Sequence, residues 1–84
     1  MTISKTEIER LATAFRNAPA SPSHKHADVW NTIEKVGGRA AIVYGMFLAT
    51  PFRQRWKKRD LGLDVASALD AAANTQTGGG GAVR

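Results

Sequence analysis

The sequence predicts an all-α fold, a small bundle of about five short helices. Two observations predict it. Apolar residues recur at three- and four-residue spacing along the segments between loops, the pattern of amphipathic helices. The most apolar stretch, from Ala40 to Leu48, is rich in Ala and contains Met46, and no other segment offers a strand to pair with it. Both residue types favour helix.

The elements follow in order. Ser4-Lys5-Thr6-Glu7 reads as a capping box, with Ser4 as N-cap and Glu7 reaching back. The helix after it, over 5–17, carries Ile8, Leu11, Ala12 and Phe15 on one stripe, with Glu9, Arg10 and Arg16 outside it. Residues 17–23 form a loop by composition, and Pro19 and Pro22 forbid a continuous helix through it. A second helix is expected over 24–35, burying Val29 or Trp30, Ile33 and Val36, and ended by Gly37-Gly38. The third, over 39–48, is apolar nearly all round, so it lies at the centre of the core or in an interface. Thr50 as N-cap and Pro51 at the first position start a fourth helix that ends near Asp60. Leu61-Gly62-Leu63 breaks it, and Asp64 caps a fifth with Val65, Leu69 and Ala72 or Ala73 inward. These elements make one helical domain, 1–73. Beyond it the Gly-rich tail 74–84, with Gly78-Gly79-Gly80-Gly81, has no apolar pattern and is expected to be disordered.

Eighty-four residues support one small core of modest stability. With no cysteine, neither a disulfide nor a thiolate metal site can help. The net charge of +5 and pI of about 10.3 favour a polyanionic partner. Clustering sharpens this: five of the twelve Lys and Arg fall in 50–60. In a helix over 51–59, Phe52 and Trp56 share one face and anchor it, while Arg53, Gln54, Lys57 and Lys58 face outward. No apolar run approaches the roughly 20 residues of a membrane span, so a cytoplasmic protein with no membrane partner is expected.

Other chemistry is poorly supported. His24 and His26, one residue apart, point different ways on a helix, and no further histidine or cysteine completes a ligand set. They read as an exposed helix start, with Asp28 near the positive end of the dipole, so no metal or cofactor is expected. Trp30 and Tyr44 read as core. There is no nucleophile–base pair and no convergent pair of carboxylates, so the chain is not expected to be an enzyme.

The run Ile33-Glu34-Lys35-Val36-Gly37-Gly38-Arg39-Ala40-Ala41-Ile42 resembles the opening of Cro-like and YdaS-like phage regulators, in which an apolar helix, a Gly-Gly pair and a small-residue helix follow one another. Trp56-Lys57-Lys58-Arg59 resembles the end of their recognition helix, and residues 55–60 resemble the matching part of lambda-type CII activators. The resemblance spans 33–69. It departs from the family at Phe47, where the turn usually has Gly, at Arg53, where a branched apolar residue is usual, and at Val43, where Ala is typical.

The resemblance implies a helix-turn-helix in a homodimeric transcriptional regulator, a repressor or an activator, that binds double-stranded DNA in the major groove with helix 51–59. Arg53, Gln54 and Lys57 would then meet base edges, since Arg pairs with guanine and Gln with adenine. Thr50, Arg55, Lys58, Arg59 and Arg39 would meet phosphates. The alternative is a phage-encoded inhibitor or adaptor that docks the same helix on an acidic host protein, suggested by the apolar 39–48 segment and the mismatched turn. RNA binding by that helix is a third reading.

Overall fold

The computed structural model describes residues 3–81, with side chains as far as Asn74. Its elements are α1 (Lys5–Asn17), a 3-10 turn (Pro22–Lys25), α2 (Ala27–Val36), α3 (Gly38–Ala49) and α4 (Arg55–Gly81), with no strand among the described residues. The fold is all-α as expected, with four α-helices in place of five. The disordered tail predicted over 74–84 lies outside the described residues in its side chains from residue 75 and in residues 82–84 altogether.

α1 has the bounds read from its pattern. The Ser4 Oγ accepts from the Glu7 N–H at 3.2 Å, which satisfies one orphan donor of the first turn. Glu7 meets the Ser4 hydroxyl, which donates to its carboxylate at 3.4 Å. Ile8, Ala12 and Phe15 are fully buried, and Leu11 packs at the edge. Arg16 pairs with Asp70 of α4. Both side chains are about half exposed, so this pair contributes at most about 1 kcal/mol.

The loop after α1 does more than connect. Ser21 Oγ accepts from the Ser23 N–H at 3.2 Å and Pro22 opens the 3-10 turn, which turns His24 inward. His24 is therefore no exposed helix start; it is 4% exposed, and α2 begins only at Ala27. Its ring stacks on Phe15 at 3.9 Å and its Nε2 lies 2.6 Å from the Ala18 carbonyl. Tyr44 donates to the His24 carbonyl at 2.5 Å, and Phe47 closes the cluster edge-on to Phe15 at 5.8 Å. With the carbonyl as its partner, Nε2 carries the proton of a neutral imidazole.

Burial lowers the His24 pKa below 6.5, against a smaller upward pull from the Ala18 carbonyl. The unfolded chain thus binds this proton more readily than the folded one. Stability is complete above the ordinary histidine value and falls as pH drops through the folded one. We expect the urea midpoint to decrease from pH 7 to pH 5, and His24→Gln, less stable at neutral pH, to lose that part of the slope. An equal slope in both proteins would place the histidine elsewhere than in the core.

Gly37 and Gly38 both have positive φ, 69° and 57°, a conformation that side chains disfavour. They let α3 start directly off the end of α2, with Gly37 as the C-cap of one and the N-cap of the other. α3 resolves the ambiguity of its apolar sequence by dividing its faces. Ala40, Val43, Tyr44 and Phe47 are buried, whereas Ile42 (67%) and Met46 (49%) stand in solvent.

The predicted fourth and fifth helices are one. Gly62, read as a breaker, lies inside α4 at its closest approach to the loop after α1. A Cβ there would fall 2.9 Å from the Pro19 Cα and 2.8 Å from its carbonyl carbon, nearer still to the oxygen. A glycine inside a helix costs about 1 kcal/mol relative to Ala, which packing on both sides readily offsets. Val65, Leu69 and Ala73 face the core, and the same stripe continues backward through Gly62 to Lys58.

Candidate nucleic-acid interface

Thr50-Pro51 ends α3 before it can start the next helix. The residue before a proline is held out of the helical region, and Thr50 is extended at φ −80°, ψ 127°. Its N–H donates to the Phe47 carbonyl at 3.3 Å and its hydroxyl to the Met46 carbonyl at 2.9 Å. Thr50 is thus a C-cap of α3, which corrects its reading as an N-cap and takes its hydroxyl away from a phosphate. A turn follows, closed by the Gln54 N–H on the Pro51 carbonyl at 2.9 Å. The Gln54 carbonyl then accepts from the Lys57 and Lys58 N–H groups, both at 3.0 Å, and α4 begins at Arg55. Arg53 and Gln54 therefore sit on the link, and only the residues from Arg55 onward on the helix.

In the basic segment Arg53 and Lys57 face outward as expected, but both rings and Lys58 lie on the opposite sides from those expected. Phe52 is 52% exposed and Trp56 69% exposed, so neither ring anchors it. Lys58, assigned outward as a phosphate contact, is instead 2% exposed. Its Nζ donates to the Phe47 carbonyl at 2.8 Å and sits 4.0 Å from the centre of the Phe47 ring. A cation there meets the negative end of the α3 dipole and the face of an aromatic ring at once. Burial lowers the Lys58 pKa, with repulsion from Lys25 adding to it.

The outward residues are Arg53, Arg55, Lys57 and Arg59, with Gln54 half-buried among them. None of the four cations forms a salt bridge among the described residues, and the Arg55 guanidinium lies 5.8 Å from the centre of the Phe52 ring. Arg39 is exposed at the other end of α3, about 15 Å away at 1.5 Å per residue. The structure thus brings together four of the five cations read from 50–60. Residues 38–59 hold six of the twelve Lys and Arg and none of the seven Asp and Glu, so this surface carries a net positive charge, with exposed Asp60 at its edge. The same residues carry the exposed Ile42, Met46, Phe52 and Trp56.

Lys58 had a signal in the sequence. It precedes Val65 by seven residues, two helical turns, on the stripe of Val65, Leu69 and Ala73. Assigning a break at Gly62 cut that register. Among the described residues no three His, Cys, Asp or Glu gather in a metal-binding group, and no helix is long and apolar enough to cross a membrane. Comparison with known protein families, curated proteins and solved structures finds no match to this chain. The phage-regulator resemblance rests on the residues that carry it.

Proposed function

We propose that this chain is a small DNA-binding transcriptional regulator of the phage or mobile-element type, which meets double-stranded DNA with the link and first turns of α4, residues 51–59. The observation that carries the reading is the set of four exposed cations, Arg53, Arg55, Lys57 and Arg59, in a segment without acidic residues. Arg53, Gln54 and Lys57 take the base edges, and Arg55 and Arg59 the phosphates, with Arg39 as an outlying contact. α3, the link and α4 serve as the helix-turn-helix, and a homodimer presents two such units to a twofold operator.

Gel shifts with genomic fragments at two salt concentrations test this. Each neutralised phosphate contributes about 0.9 to the log–log salt slope, so Arg55 and Arg59, with Arg39 as a third contact, predict a slope of about −2 to −3 per protomer. Arg53→Ala is expected to weaken specific binding by about 1–3 kcal/mol. An equal loss on specific and random DNA would show that Arg53 reads no base. A second reading, a protein-binding inhibitor or adaptor on an acidic host protein, draws support from the bare Ile42 and Met46 on α3. Absence of any DNA shift at low salt, with saturable binding to an acidic protein, would decide for it.

A further inference from the structure

We infer that the DNA this site takes contains unpaired bases, as at a gap in a duplex, and that Trp56 and Phe52 stack on them while the neighbouring cations hold the phosphates. The inference rests on the DNA-binding reading and names the form of DNA that suits the site. Phosphates and groove edges account for the cations and for Gln54, but a closed duplex offers little to a solvent-facing indole. An unpaired base offers a free π-face, and stacking on aromatic side chains is the usual way single strands are held. Trp56 is the most exposed of the large apolar residues described. It is flanked in the chain by Arg55 and Lys57, and Arg59 lies three residues on, next to it on the helix surface. Phe52 is bracketed in the same way by Arg53 and by the Arg55 guanidinium at 5.8 Å. Both rings thus have cations close by in the chain, as a base with its neighbouring phosphates requires.

An anionic bilayer would also attract cations beside a Trp. It fits less well, because exposed Asp60 lies four residues from Trp56, on the same side of α4. A flat lipid surface taking the indole would bring that carboxylate towards the anionic headgroups, whereas a single base on the ring need not reach it.

The experiment compares a closed duplex, the same duplex with a short central gap, and the free strand, by fluorescence anisotropy at low salt. It is repeated by Trp emission in a Trp30→Phe background, so that only Trp56 reports. The gapped duplex is expected to bind about tenfold more tightly than the closed one, with quenching of Trp56, and Trp56→Ala to bring that ratio close to one. Because Trp56 is exposed, its truncation removes little packing, and circular dichroism of the variant checks that it folds. Equal binding of closed and gapped duplex without quenching overturns the inference and leaves the regulator reading standing. Absence of binding to all three DNAs overturns both. Tight binding to phosphatidylserine vesicles with a blue-shifted Trp56, and no preference for the gap, assigns the surface to lipid instead.

Discussion

Lys58→Ala is expected to destabilise the protein by about 2–3 kcal/mol and to leave the salt dependence of the proposed DNA binding as it was. A hydrogen bond from a charged donor contributes about 1.5–3 kcal/mol, and a desolvated cation over an aromatic ring about 2 kcal/mol. Against these stands the cost of taking an ammonium out of water, which the lowered pKa reflects. Truncation also removes the buried stem and leaves a void beside Phe47. Lys58→Met separates the parts. It keeps most of the stem, and the Phe47 carbonyl still accepts from the Thr50 N–H, so a smaller loss of about 1 kcal/mol is expected. Because the folded pKa lies below 10.5, keeping Lys58 charged carries a cost at neutral pH relative to the neutral amine. That cost is relieved as pH rises from the folded value towards 10.5. Urea titrations and salt slopes on the same preparations check both statements. Unchanged stability with a shallower slope would return Lys58 to the surface as a phosphate contact.

Gly62→Ala is expected to cost about 2–3 kcal/mol, although alanine is the better helix former by about 1 kcal/mol. The opposing atoms are backbone atoms of Pro19, which cannot rotate aside as the end of a side chain can. Either the loop after α1 lifts from α4 or the helix shifts along it. Each movement disturbs His24, whose Nε2 is held by the Ala18 carbonyl next to Pro19. A chain of this length has a total stability of only about 4–12 kcal/mol, so the change should be plain in thermal unfolding. A variant as stable as the parent, or more so, would show that the two backbones do not touch.

Both predictions concern residues whose roles were harder to read than those of α1. The α1 signals are local. Ser4, Glu7, Ile8, Ala12 and Phe15 each lie within four residues of the next, and the helix formed with the bounds they imply. The Gly37-Gly38 junction is local too, because it depends on backbone angles that only glycine adopts readily. At Thr50-Pro51 two local rules compete. The pair is a good helix start and also a stop for the preceding helix, and the stop prevailed because α3 had already reached Thr50. At Gly62 the local rule reads a break where the deciding contact is with Pro19, far away in the chain.

The candidate site shows the same division. Composition places the charge in 50–60, and the structure keeps Arg53, Arg55, Lys57 and Arg59 in solvent there. Which face of the segment turns outward follows from the register of α4. With Val65, Leu69 and Ala73 committed to the core, Lys58 must follow them inward and Trp56 must point away.

The amino-acid pattern by itself determined an all-helical chain, its caps, its apolar stripes and a concentration of cations after α3. Those depend on interactions between residues a turn or two apart. Only the tertiary structure decided that two expected helices are one, that His24 and Lys58 belong to the interior, and that two aromatic rings stand among the cations in water. Those outcomes depend on which surfaces meet, and burial against a distant partner outweighs the roughly 1 kcal/mol preferences that local sequence expresses.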